Sequence, residues 1–392
     1  MAPAALLAWI NRHLLGRCAG AIHKGVPSAR GGFSVISLIS LISIFGGMLV
    51  CACASAAAAQ PSGSAEAFRV EQIKPGVFVH LGALEDWGPA NGGDVANLGF
   101  VVGSRCVAVI DTGGTPAVGT ALRAAVERST ALPICYVILT HAHPDHLLGS
   151  VAFVATSRNA PAPAFVASAR YSRTLAAREP FYLNALKRDF GMALTPANIV
   201  YPSVAVDRTL ALDLGDRTLT LQAWPTAHTD NDLTVYDART RTLFASDLLF
   251  VSHLPALDGS LRGWLGVMAE LRHLDVASVV PGHGPVSADW PAAMDAQAAY
   301  LNGLLRDTRA AVRAPLTIQQ AIERIKVAGP PGWLLTDRFH RRNVTAAYVE
   351  LEWEDEPPAA PAASRAEAGT QRPQRPLRPD TSTLPARKDG TP

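Results

Sequence analysis

Read along its apolar and polar positions, the chain divides into short alternating runs and longer amphipathic ones. "FRVEQIKPGVFVHLG" alternates like two strands turning at Pro75-Gly76. "ALEDWGPANGGDVAN" is a loop rich in Gly, Asn and Asp that carries Trp87. "LGFVVGSRCVAVIDTGG" reads as two strands joined at Gly103-Ser104 and ending at Asp111. "TPAVGTALRAAVERS" is a helix with Thr115 as its N-cap and Pro116 in its first position. "ICYVILTH" is a buried strand. Strand, helix, strand in this order implies parallel neighbours in a sheet covered by helices, an α/β fold.

Further on, "ASARYSRTLAAREPFYLNALKRDFG" is an amphipathic helix. Two hairpins follow, one turning around Gly215-Asp216 and one near Ala238-Arg239. "SLRGWLGVMAELRHL" is a helix, "VASVVPGHG" a strand running into a loop, and "DWPAAMDAQAAYLNGLLRDTRAAV" a long helix. Two shorter helices close the pattern, the last ending near "AAYVELEWE". After Glu354 the chain turns to Pro, Arg and Ala with no aromatic residue. Residues 355–392 should therefore form a disordered tail, because they cannot bury enough apolar surface to offset the entropy of ordering.

Composition changes this picture mainly at the N-terminus. At 392 residues, 48% hydrophobic and 17% charged, the chain can build one large core or two small ones. The formal charge of +2 conceals an asymmetry: residues 1–59 hold Arg12, Arg17, Lys24 and Arg30 and no acid. Without them, 31 basic residues face 33 acidic ones, a net charge of −2 that argues against a nucleic-acid surface. The basic stretch precedes the apolar run "FSVISLISLISIFGGMLV" and the small residues of "CACASAAAAQ". This is the order of a secretory signal, with the cut expected after Ala59. The apolar run is also long enough to stay as an anchor, and Cys53 offers a lipid-attachment reading. Any membrane association would come from this segment alone. Residues 60–66 are then a leader and 67–354 the folded domain, placed in the periplasm or outside the cell.

Export leaves Cys106 and Cys135, and an oxidising compartment permits them to pair. Cys106 lies five residues before Asp111 and Cys135 six before His141, at nearly the same height on neighbouring strands. The one-residue difference leaves the direction of the side chains open, because strand side chains alternate. A disulfide and two buried free thiols both remain readings.

The chemistry concentrates in "VILTHAHPDHLLG", where His141, His143, Asp145 and His146 crowd together after an apolar run. Three further segments have the same form, an apolar strand followed by a donor: "LQAWPTAHTDND" with His228, "RTLFASDLLF" with Asp247 and "VASVVPGHGP" with His283. One such residue is as readily a satisfied polar group as a ligand. Four strand ends together point to metal.

These residues resemble the metallo-β-lactamase fold superfamily over residues 68 to about 300. The resemblance implies a four-layer αββα sandwich with metals between the sheet edges. It implies His141, His143 and His228 on a first metal, Asp145, His146 and His283 on a second, and Asp247 bridging them. Two Zn2+ ions are expected, with Fe and Mn as alternatives. Read on chemistry alone, three neutral imidazoles suit zinc and leave a position open for water. A metal-bound hydroxide would then attack the carbonyl of a small-molecule ester, thioester, lactone or amide. Asp145 would ligate, orient the nucleophile and pass a proton to the leaving group. Asp111 is read as an outer group behind the ligands, or as a cap on the loop and helix that follow it.

Departures narrow the resemblance. Flavodiiron proteins carry Glu where this chain has His143, and the best-known metallo-β-lactamases carry Cys or Ser where it has Asp247. No segment matches the glutathione-contacting end of glyoxalase II. Persulfide dioxygenases share the His/His/Asp core with one iron, which leaves a mononuclear iron oxygenase as an alternative. "NLGFVVGSRCVAVIDTGG", "HLPALDGSLRGWL", "VVPGHGP" and "RRNVTAAYVELEWE" are similar to periplasmic zinc metallohydrolases of quinoprotein relay systems. That implies a quinoprotein dehydrogenase as partner, with a metal-bearing non-catalytic role as a further alternative. Of the remaining histidines, His80 is read as structural, His273 as solvated and His253 as a candidate pocket residue. His340 is a candidate to join Arg341 and Arg342 at an anionic group, and Trp87 a candidate flap.

Overall fold

In a computed structural model, residues 68–154, 161–326 and 329–354 are described. The expected signal segment, leader and tail lie outside the described residues. Among the described residues, no helix is long and apolar enough to cross a membrane.

Among the described residues, twelve strands form two sheets. The first runs in sequence order: β1 (Glu71–Lys74), β2 (Val77–His80), β3 (Leu98–Val102), β4 (Val107–Ile110), β5 (Ile134–Ile138), β6 (Ala164–Ser168) and β7 (Val204–Val206). It is antiparallel as far as β4 and parallel from β4 to β7. The second comprises β8 (Thr209–Asp213), β9 (Thr218–Ala223), β10 (Leu233–Asp237), β11 (Thr242–Phe250) and β12 (Ser278–His283). Its strands are antiparallel except β12, which lies parallel to β11.

Side-chain alternation builds the layers. In β4, Ala108 and Ile110 face the second sheet and meet Leu219, Leu221, Val235 and Phe244 in a shared core. Val107 and Val109 face the other way, against Leu122 and Val126 of α1 (Pro116–Ser129). A short α2 (Pro144–Leu147) and the long α3 (Tyr171–Asp189) complete that outer layer. Thr115 caps α1 as expected, accepting from Val118 N–H at 3.4 Å. The second sheet is covered by α4 (Leu261–Leu271), α5 (Asp295–Arg313), α6 (Ile318–Arg324) and α7 (Thr336–Leu351). This is the expected αββα sandwich.

Two elements differ from the sequence reading. The segment expected to begin the middle helix at Ala167 is instead the end of β6, and α3 starts at Tyr171. Asp247 lies within β11, not at its end. β11 continues to Phe250, and its register to β12 slips on either side of Ser246, which sits at φ 47°. The slip turns Asp247 towards the sheet edge.

Cys106 and Cys135 are disulfide-bonded with their Cα atoms 5.7 Å apart. The one-residue offset is absorbed by a bulge: Val107 pairs with Ile134 and Ala108 with Tyr136, leaving Cys135 as the extra residue. With a sequence separation of 29, the bridge closes a loop whose restriction in the unfolded chain stabilises by about 3–4 kcal/mol. The Cys106→Ala/Cys135→Ala double variant should lose that much in denaturant unfolding. Two free thiols in the unfolded, unreduced protein would show that the bridge is not formed.

Candidate metal centre

The donors come from both sheets. The turn after β5 carries His141 and His143, and α2 adds Asp145 and His146. The loop after β9 carries His228, β11 carries Asp247, and β12 ends on His283. Their ligand atoms fall into two groups, each within 4.8 Å: His141, His143, His228 and Asp247, and Asp145, His146 and His283. All seven residues singled out in the sequence are thus brought together. His143 and Asp145 are partly exposed, and the other five are buried.

Four of the five imidazoles are aimed through the outer nitrogen by a carbonyl or carboxylate, and His141 Nδ1 lies 3.2 Å from Thr140 Oγ. His228 Nδ1–H donates to the Ala256 carbonyl at 2.7 Å, and His283 Nδ1–H to the Val95 carbonyl at 2.9 Å. His143 Nε2–H donates to Asp258 at 2.8 Å, and His146 Nδ1–H to Asp111 at 2.8 Å. The inner nitrogens then present lone pairs to one another. His143 Nδ1 is 3.0 Å from His141 Nε2 and 3.1 Å from His228 Nε2. Such an approach needs a cation or a shared proton between the rings. Zinc–nitrogen bonds of about 2.0–2.1 Å would place tetrahedral ligands roughly 3.3–3.4 Å apart, close to these separations.

Asp247 joins the groups. Its Oδ2 lies 3.2 Å from His228 Nε2 and 3.5 Å from His141 Nε2. Its Oδ1 lies 3.1 Å from His146 Nε2 and 3.5 Å from His283 Nε2. The 3.1 Å pair is misaligned for a hydrogen bond, so His146 Nε2 and Asp247 Oδ1 are both buried without a hydrogen-bond partner. Buried polar atoms left so are costly unless a cation satisfies them. Gly282 makes room for the carboxylate, since a Cβ there would come within 1.8 Å of Asp247 Oδ1.

The field of the site favours positive charge. Burial lowers the His283 imidazole, but Asp247 and Asp145 outweigh it and hold His283 at about 9. Burial likewise lowers His146, and Asp247, Asp145 and Asp111 raise it well above its ordinary value. Burial raises Asp145, while His146 and His283 bring it down to about 2. Burial pushes His141 and His143 below the ordinary imidazole range. Divalent cations would take the place of the protons drawn in here. The donor set, the unsatisfied atoms and the charge all fit metal.

Other residues set the frame. Asp111, at φ 56°, accepts from Thr140 N–H and Thr140 Oγ–H, each at 2.8 Å, and from His146. It orients a ligand, while Thr115 caps the helix. Asn231 Oδ1 accepts from Ala142 N–H at 2.9 Å and ties the His141 turn to the His228 loop. Asp258 was not reached from the sequence, where only its acidic type between a Leu and a Gly marks it. It bonds His143 and pairs with Arg178 at 2.5 Å. His253 is buried and stacks on His283 at 5.3 Å, with burial and His283 pushing it down to about 4. His80 bonds Asp94 at 2.8 Å and the Arg69 carbonyl at 2.7 Å. His340 turns inward to Tyr300 and the Ile325 carbonyl, so it does not join the exposed Arg341 and Arg342. Trp87 packs on Phe190 and bonds the Gly114 carbonyl at 3.2 Å, anchoring its loop.

The family model for the metallo-β-lactamase superfamily matches residues 91–283, a span that holds all seven donors and ends on His283. Residues 91–283 form a metallo-β-lactamase superfamily domain. Two solved structures are similar to it. A metallo-β-lactamase from Pontibacter korlensis is 20% identical and covers 60% of this chain and 98% of its own, with a TM-score of 0.48. A stereoselective inverting sec-alkylsulfatase from Pseudomonas sp. is 16% identical with a TM-score of 0.54 and covers 75% of this chain. This chain spans about half the length of that sulfatase, 51%. Comparison of the sequence with curated proteins found no match.

Proposed function

We propose that the chain is an exported metal-dependent hydrolase with a dinuclear centre. His141, His143 and His228 would hold one metal, Asp145, His146 and His283 the other, with Asp247 shared. One observation carries this: the two oxygens of a single buried carboxylate divide between two groups of converging imidazoles. Zinc suits the three-imidazole group, and iron or manganese accept the same donors. Bound there, two cations would supply the charge that lowers the pKa of a water towards about 7 and polarises the scissile carbonyl.

The protein's own part is orientation. The outer acceptors orient the rings of His143, His146, His228 and His283 before substrate arrives, so little reorganisation accompanies the reaction. Asp145 is the partly exposed carboxylate of the set and faces His283 Nε2 at 3.4 Å. Held ionised, it can accept a hydrogen bond from the attacking water and carry its proton to the leaving group. The substrate class is an ester, thioester, lactone or amide. The two segments similar to relay-system hydrolases, around Leu257 and Asn343, meet in this fold. The resemblance of these segments, not their contact, is what supports a role beside a quinoprotein dehydrogenase.

The test is a panel of carboxylic esters, thioesters, lactones, lactams and one secondary alkyl sulfate. Turnover of a carbonyl substrate should vanish on chelation and return with added metal. Turnover that survives complete metal removal would refute the reading.

A further inference from the structure

We infer that Asn343, on the C-terminal helix α7, is a positioning residue for the first metal group. The inference rests on the metal-centre reading above. Two of the three imidazoles in that group take their aim from one short segment, Pro255 to Asp258. The Ala256 carbonyl accepts from His228 Nδ1–H at 2.7 Å, and the Asp258 carboxylate accepts from His143 Nε2–H at 2.8 Å. A shift of this segment would therefore turn both rings.

Asn343 grips the segment from behind. Its Nδ2 donates to the Pro255 carbonyl at 2.6 Å, and its Oδ1 accepts from Leu257 N–H at 2.9 Å. Backbone groups two residues apart in extended chain face the same side, and the carbonyl between them faces the other. Clasping residues 255 and 257 thus turns the Ala256 carbonyl towards His228. The carboxamide is itself fixed, being 1% exposed and bonded through Nδ2 to Tyr300 Oη at 3.0 Å. Proline supplies no N–H at 255, so no competing donor arises there.

The second group has no such dependence. His146 is aimed by Asp111 and His283 by the Val95 carbonyl, neither of which lies on this segment. Loss of the Asn343 grip should therefore act selectively. Helix α7 lies wholly beyond residues 91–283, so part of the ligand frame comes from outside the span that the family model matches.

The experiment uses the full chain as Asn343→Ala and Asn343→Ser, with Arg309→Ala as a control for loosened helix docking. Arg309 on α5 bonds Glu354 at 2.6 Å and does not touch the segment. Cobalt(II) is titrated into metal-free protein, with affinities from chelator competition and the absorption spectrum recorded for each equivalent. The spectrum of the first group is identified as the one lost in His228→Ala. Asn343→Ala should bind that equivalent about tenfold more weakly, with a shifted spectrum, and bind the other as the parent does, since outer-shell partners set affinity by about 10–100-fold. Should Asn343→Ala not fold, Asn343→Ser carries the same expectation. Unchanged affinity and spectrum in a folded Asn343 variant, or an equal change in Arg309→Ala, would overturn the proposal. Parent protein that takes up no cobalt would be a failure of the metal-centre reading itself, visible before any variant is compared.

Discussion

His228→Ala should lose hydrolytic turnover on the order of a thousandfold or more, equivalent to about 4 kcal/mol of barrier. It should also leave the purified protein short of metal. His228 is fully buried, with Nε2 3.1 Å from His143 Nδ1 and 3.2 Å from Asp247 Oδ2. Nothing else in its loop can replace that lone pair: Thr229 and Asp232 bond each other at the turn. Removing the ring leaves two imidazoles and a shared carboxylate for a cation that prefers three imidazoles and one open position. The ring also packs against Trp264 and Phe250, so some stability will be lost with it. His228→Gln fills more of that space without restoring an imidazole and should be equally inactive. Normal turnover and full metal content in either variant would sink the assignment.

The largest effect on stability should come from Arg217→Ala, a loss of about 3–5 kcal/mol, since one partner of a buried ion pair would be left alone. Arg217 and Asp237 are almost fully buried and joined by two bonds, Nε to Oδ1 at 3.0 Å and a terminal nitrogen to Oδ2 at 2.9 Å. The same guanidinium donates to the Val102 and Pro75 carbonyls, each at 2.9 Å. One side chain from the β8–β9 turn thus ties the second sheet to two turns of the first. Its removal leaves the Asp237 charge without a counter-ion, with only Thr240 still donating to Oδ2, and frees two carbonyls where water cannot reach them easily. Replacing both partners, Arg217→Met with Asp237→Leu, should recover much of the loss, because the stranded charge goes too. Denaturant midpoints decide it: a single variant costing under about 1 kcal/mol would show the pair to be incidental.

The sequence made the metal donors legible because each follows an apolar run, and strands deliver such residues to a sheet edge. Helix α1 was legible through Thr115 and Pro116, which have a local physical meaning at a helix start. Strand β6 was not, because "APAFVASA" is short, rich in Ala and Pro, and merges into a helical pattern. Asp247 was misplaced at a strand end because β11 is buried on both faces and shows no alternation to mark its length. The disulfide turned on one bulge at Cys135, which inverts the facing of a side chain and leaves no trace in spacing. The outer frame was the hardest part. Ala256 and Val95 act through backbone carbonyls, which every residue has. Asn343 reaches Pro255 across a separation of 88 residues.

The most direct test of the dinuclear centre is the metal content of the protein purified from its own compartment, measured by elemental analysis against protein concentration. About two metal ions per chain, falling towards one in a variant that lacks only the Asp145, His146 and His283 group, is the expected result. Metal-free but folded protein, or a single ion that those substitutions leave in place, would contradict it.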